Sequence, residues 1–234
     1  MIIRTIHGLF EDLLQLFFPG TCLICGEKLV SGEEGVCLDC LYRLPRTHNF
    51  DIPGNEAEVL MSGRFPFVRI ATFCLYSKGG MLPPLIHELK YEGRKEIGLL
   101  LGRICGRELY GSRFFAPLEG IVPVPLHPKK QTKRGFNQAE IIADGLSEVL
   151  SIPVLTGNLV RVEYNSTQTK RSKIQRWKNV EDIFRVNNPE QFAGKHLLLV
   201  DDVLTTGATI EACAHALAVC VDLKISVLAI GQAV

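Results

Sequence analysis

The chain has no excess of charge of either sign. Its 26 lysines and arginines stand against 25 aspartates and glutamates in 234 residues, so no global field draws it to a polyanion, and phosphate or nucleic-acid binding has to come from local clusters. It has no internal repeat and no low-complexity tract, which excludes solenoids and long unfolded tails. No export signal is expected either. The apolar start "MIIRTIHGLFEDLLQLFF" is interrupted by Glu11 and Asp12, no small-residue cleavage site follows, and it is short for a membrane span. Ile2, Ile3, Ile6, Leu9, Phe10, Leu13, Leu14 and Phe17 fall at helical spacing. An amphipathic helix packed on the body of the protein is expected there, with contact to a membrane surface or a partner as the other reading. The expected compartment is the cytoplasm, where eight cysteines serve as reduced thiols or metal ligands rather than disulfides.

Hydrophobic residues make up 47% of the chain, enough to bury the core of one ordinary domain with a small appendage. Cys22, Cys25, Cys37 and Cys40 form two Cys-x-x-Cys pairs, "CLIC" and "CLDC". Each pair can present two thiolates to one metal from a tight turn, and Gly26 supplies the backbone freedom such a knuckle needs. Four thiolates around one ion point to structural zinc; a redox dithiol or an iron–sulfur site is the alternative. Cys74, Cys105, Cys213 and Cys220 show no such pairing and read as buried small hydrophobes.

Residues 1–43 read as helix plus zinc module, 44–64 as a Pro-, Gly- and Asn-bearing linker, and 65–234 as the main domain. In the latter, "FVRIATFCLY", "IVPVP", "IPVL", "KHLLLV" and "ISVLAI" read as strands. Helical patterns stand between them: 81–109, as two helices or one broken at Gly93; "GFNQAEIIADGLSEVL"; and a helix opening in "TTGATIEACAHALAVC". The segment 161–186 follows neither period and is expected to be a long excursion. Alternation of strands and helices predicts a doubly wound, mostly parallel α/β sheet.

In such a sheet ligands bind beyond the carboxyl ends of the strands. Asp201 and Asp202 follow "HLLLV" at such an end, and Thr205, Thr206, Gly207, Ala208 and Thr209 lie where a helix is expected to begin. Free N–H groups and three hydroxyls there suit a phosphate monoester. The carboxylates suit sugar hydroxyls or a divalent cation. A sugar phosphate satisfies both halves; the plainer reading makes Asp202 a turn residue and Thr206 an N-cap. A nucleoside-triphosphate loop is disfavoured, because "TTGAT" lacks the required lysine.

"LLLVDDVLTTGAT" resembles the phosphoribosyl-pyrophosphate loop of type I phosphoribosyltransferases. Together with "VPVPLHPKKQTKRGFNQAE", "LKYEGRKEIGLLLG" and the four cysteines, in that family's order, the chain resembles the ComF family of competence-associated proteins over nearly its entire length. The resemblance implies a zinc module fused to a phosphoribosyltransferase-like domain, acting in uptake of single-stranded DNA, with other competence proteins as partners. It implies that Asp201 and Asp202, the catalytic candidates, contact the ribose hydroxyls of phosphoribosyl pyrophosphate and that residues 205–209 hold the 5-phosphate. The "PLHP" loop, with Leu126, His127, Lys129, Lys130, Lys133 and Arg134, would receive the pyrophosphate, with Mg²⁺ accompanying it. Arg161, Gln168, Lys170, Arg171, Arg176 and Trp177 would belong to a loop that closes over substrate. Interleaved basic and aromatic residues there also suit single-stranded nucleic acid. Asn165, Arg171 and Lys130 depart from the family's usual Thr, apolar residue and Arg. No residue stands out as a base for an acceptor, so an active glycosyltransferase and a binding protein both remain open.

Overall fold

The computed structural model describes residues 20–112, 115, 117–162 and 183–234. The expected N-terminal helix lies outside the described residues, as do Gln168, Lys170, Arg171, Arg176 and Trp177 of the excursion. The chain divides into two compact units, Met1–Pro45 and Arg46–Val234.

In the first unit, a bridge between Thr21 and Lys28 closes the turn that carries Cys22 and Cys25. Gly26 takes φ +77° and donates to the Cys22 carbonyl at 2.9 Å, a left-handed conformation that a Cβ would strain. Cys37 is the N-cap of the short helix α1 (Leu38–Tyr42). The Glu33 carboxylate accepts from Val30 N and Leu38 N, both at 2.8 Å, fixing the loop between the two cysteine pairs.

The second unit is built on a parallel sheet of β1 (Ile70–Tyr76), β2 (Gly120–Pro123), β5 (His196–Leu204) and β6 (Lys224–Ala233), in the order β1-β6-β5-β2. Its central strands are buried on both faces, as parallel strands covered by helices are. Leu197 and Leu199 of β5, with Val227 and Ala229 of β6, join a core that includes Leu159, Phe184, Ile210 and Phe192. Leu198, Val200, Leu228 and Ile230 alternate with them and are also fully buried, each contributing about 1.5–3 kcal/mol. The excursion leaves and returns through a two-stranded antiparallel sheet, β3 (Leu159–Arg161) with β4 (Phe184–Val186). "IPVL" does not form a strand; Val154 alone bridges to Ile121.

The helical stretch 81–109 resolves into α3 (Leu82–Tyr91) and α4 (Lys95–Tyr110), separated at Gly93 with φ +73°. Against α4 lies α6 (Gln138–Leu150). Gly98, Gly102 and Gly106 form a stripe on α4, and Gly145 faces them from α6; a Cβ at Gly102 would strike the Ile142 carbonyl, and one at Gly145 the Leu99 carbonyl. The backbones meet only because these side chains are absent.

Much of the stretch read as a linker is packed structure. It contains α2 (Glu56–Met61), capped by Asn55, whose side chain accepts from Ala57 N and Glu58 N and donates to the Ile70 carbonyl at 2.9 Å. Asn49 pairs in both directions with Thr72 at 3.0 Å, and Thr72 donates onward to Gln232 at 2.9 Å. Buried amides in place of a solvated tether bind this stretch to β1 and β6. Cys74, Cys105, Cys213 and Cys220 are all buried, and burial pushes the Cys74 thiol up to about 12.

Candidate functional site

The four N-terminal sulfurs lie within 4.8 Å of one another. Cys25 and Cys37 Sγ are 3.8 Å apart, matching the edge of a tetrahedron of thiolates about 2.3 Å from a central ion. Burial raises the Cys22 thiol, but N–H groups of Cys25, Cys37 and Ile24 directed at its sulfur outweigh that and bring it down to about 6. Cys40 is pushed strongly upward by burial and by the neighbouring sulfurs. Four sulfurs so close cannot all ionise unaided, and this group can hold one metal ion.

At the sheet, β5 does not stop before the acidic pair: it runs through Asp201 and Asp202 to Leu204, with Asp201 paired to Ala229. Successive strand residues face opposite sides of a sheet, and the two carboxylates accordingly meet different neighbours. Asp202, 5% exposed, accepts from Lys90 of α3 at Oδ1, 2.8 Å away. Its Oδ2 is buried with no hydrogen-bond partner among the described residues. Asp201 accepts the Asp202 N–H at 2.8 Å. Burial, then the charge of Asp202, raises its carboxyl from 3.8 to about 7, against the Asp202 N–H, Lys90 and Arg161 of β3, which lower it.

Beyond the strand, Thr205, Thr206 and Gly207 form the connection and α7 (Ala208–Leu217) begins one residue later, at Ala208. Gly207 is the N-cap, with φ +79°; a Cβ there would meet the Met61 sulfur. Thr206 Oγ1 accepts from Ala208 N at 3.4 Å, and Arg64 grips the loop from outside, donating to the Thr206 carbonyl at 2.6 Å and pairing with Glu211 at 3.4 Å. Thr205, Thr206, Ala208 and Thr209 are exposed, so the first-turn N–H groups and hydroxyls stand at an open helix N-terminus.

The basic stretch read as a loop is largely the short helix α5 (Pro128–Arg134). His127 caps it, Nδ1 accepting from Lys129 N at 3.2 Å, while Lys130 N and Gln131 N donate to the His127 carbonyl. With prolines at 125 and 128, only Leu126 and His127 in "PLHP" retain N–H groups not spent on the helix. Lys129, Lys130 and Lys133 are exposed; Arg134 pairs with Gln138 and lies 5.7 Å from the Tyr91 ring. "GFNQ" explains the placement of α5. Gly135 ends the helix at φ +81°, Phe136 is buried, and Asn137 caps α6 while donating to the Val124 carbonyl at 3.0 Å. This ties α5 to the carboxyl end of β2, whose neighbour is β5.

Sequence reading missed Lys90 and Arg64. Lys90 lies inside "LKYEGRKEIGLLLG", and its position suffices to mark the stretch but not its partner 112 residues away. Arg64 closes the segment read as linker. A cleft of about 470 Å³ lined by Tyr76, Gly79, Pro83, His87, Lys90 and Tyr91 adjoins the Lys90 end of the pair.

Residues 132–224 match the phosphoribosyl transferase domain family. The DNA utilization protein YhgH of Escherichia coli K12 is 33% identical, the alignment covering 87% of this chain and 92% of that protein. Competence protein ComFC of Bacillus subtilis is 35% identical over 84% of this chain and 70% of its own length. Competence protein F of Haemophilus influenzae is 27% identical over 83% and 89%. Similarity at this level over most of the chain means that it belongs to the ComF family, with a phosphoribosyltransferase domain of the type I kind and a four-cysteine cluster in its N-terminal part.

Proposed function

We propose that this protein binds a phosphoribosyl pyrophosphate-like sugar phosphate at the carboxyl end of β5 and acts in the uptake and use of single-stranded DNA. The observation that carries the reading is the junction of an acidic pair, Asp202 buried and Asp201 half-buried, with an open helix N-terminus. Asp201 and Asp202 accept the ribose hydroxyls, and Thr205–Thr209 receive the 5-phosphate through N–H groups and hydroxyls. Lys129, Lys130 and Lys133 on α5 neutralise the pyrophosphate beside β2, with N–H groups from Leu126 and His127. Mg²⁺ travels with the ligand's own phosphate oxygens, as this ion commonly does. Arg161 reaches the site from β3, at the mouth of the excursion that carries Gln168, Lys170, Arg171, Arg176 and Trp177. The relatives named for competence and DNA utilization support the cellular setting. In the first unit, Zn²⁺ is the ion that suits four cysteine sulfurs in this geometry.

The family match also favours a second reading, an active phosphoribosyltransferase with an acceptor of its own. Calorimetric titration with phosphoribosyl pyrophosphate and Mg²⁺ tests the binding claim. Pyrophosphate release on adding candidate nitrogenous acceptors separates enzyme from binder. Single-strand binding that weakens with salt supports the nucleic-acid arm; absence of any such binding removes it.

A further inference from the structure

The acidic pair already has a cation, and this decides what else it can take. Asp202 is 5% exposed, and its Oδ1 receives the Lys90 ammonium at 2.8 Å. Lys90 extends from the last turn of α3, an element that contributes no other residue to the sugar-phosphate reading. Asp201 feels the charges of both Lys90 and Arg161. One of the two carboxylates is therefore ion-paired with a cation of the chain itself, Lys90. A divalent cation entering here would have to share the Asp202 carboxylate with an ammonium. An uncharged hydroxyl would not, and Asp202 Oδ2, buried and lacking a partner among the described residues, is an acceptor that an O–H can satisfy.

We infer that Lys90 is the resident cation of the acidic pair: it positions Asp202 to accept sugar hydroxyls and keeps divalent metal off the carboxylates. The inference deepens the sugar-phosphate reading and rests on it for the identity of the hydroxyl donor. Lys90 is a positioning residue, acting through Asp202. It makes the sugar half of the site independent of metal, so that any Mg²⁺ requirement belongs to the pyrophosphate half alone.

Two measurements on the full chain, with its cysteine site loaded, test this. The first needs no organic ligand: Mn²⁺ binding followed by electron paramagnetic resonance. Wild type and Lys90→Arg are expected to bind no Mn²⁺ at the pair, whereas Lys90→Met gains a site about tenfold tighter or more, lost again in Lys90→Met/Asp202→Ala. Mn²⁺ binding by wild type that Asp202→Ala abolishes overturns the inference, as does Lys90→Met with no gain while its circular dichroism remains that of wild type. The second measurement is ribose 5-phosphate titration with and without added Mg²⁺. Wild-type affinity is expected to change less than about twofold, while Lys90→Met loses about tenfold and Lys90→Arg recovers most of it. Wild-type binding that appears only with added Mg²⁺, or unaltered binding by Lys90→Met, overturns it. Should phosphoribosyl pyrophosphate with Mg²⁺ fail to bind wild type, the sugar-phosphate reading falls, while the Mn²⁺ result still decides the role of Lys90.

Discussion

Replacing Asp201 by Asn tests the electrostatics of the site without any ligand. The carboxyl is held at about 7 in the folded protein against an ordinary 3.8, chiefly by burial and then by the charge of Asp202. Between those two values the folded chain keeps a proton that the unfolded chain has lost, so stability falls as pH rises through the window. The interval is about three pH units at about 1.4 kcal/mol each, which bounds the cost of ionising Asp201 at about 4 kcal/mol; relaxation around the charge makes on the order of 2–4 kcal/mol the working expectation. Asparagine retains the oxygen that accepts the Asp202 N–H at 2.8 Å and has nothing to ionise. Urea unfolding followed by circular dichroism from about pH 4 to about pH 9 is the assay. The variant should match wild type at the acid end and exceed its stability by about 2–4 kcal/mol at the alkaline end. Parallel stability curves for the two proteins would refute the reasoning. A site that lowers stability in this way is common where function requires a buried charge.

Three further outcomes are expected. Gly207→Ala forces a left-handed φ on a residue whose Cβ meets the Met61 sulfur; sugar-phosphate affinity should fall about tenfold or more, read by calorimetry, and unchanged affinity would mean the loop is not the phosphate site. Gly102→Ala drives a methyl into the Ile142 carbonyl and should lower unfolding free energy by about 1–3 kcal/mol despite alanine's better helix propensity; a more stable variant would contradict the close α4–α6 contact. Chelation, or Cys40→Ser, should release one equivalent of zinc and disorder the first unit, seen as loss of its amide protection in hydrogen exchange; a metal-free protein with protection intact would show that the four sulfurs need no ion.

Much of the fold can be read along the chain. The apolar runs "IATFCLY", "HLLLV" and "ISVLAI" are strands because strands buried on both faces must be apolar throughout, and Gly93 separates two helices because it alone can take φ +73° there. The cysteine spacing brings its four sulfurs together through local turns. What could not be read is non-local. Lys90 reaches Asp202 across 112 positions. Asn49 and Asn55 convert an apparent linker into packed structure through bonds to Thr72 and Ile70. The acidic pair looks like a strand end by composition; β6 pairs with Asp201, Val203 and Leu204 and carries β5 past it. "PLHPKK" looks like a loop because prolines flank it, yet Pro128 at the first helical position and His127 at the cap start a helix.

One titration tests the sugar site at the end of β5 most directly. Phosphoribosyl pyrophosphate with Mg²⁺ added to the wild-type chain in a calorimeter should bind at a single site. Asp201→Ala/Asp202→Ala should lose about 100-fold or more in affinity, the worth of two hydrogen bonds to charged acceptors. No binding by wild type, or equal binding by the double variant, would contradict a sugar site at the end of β5.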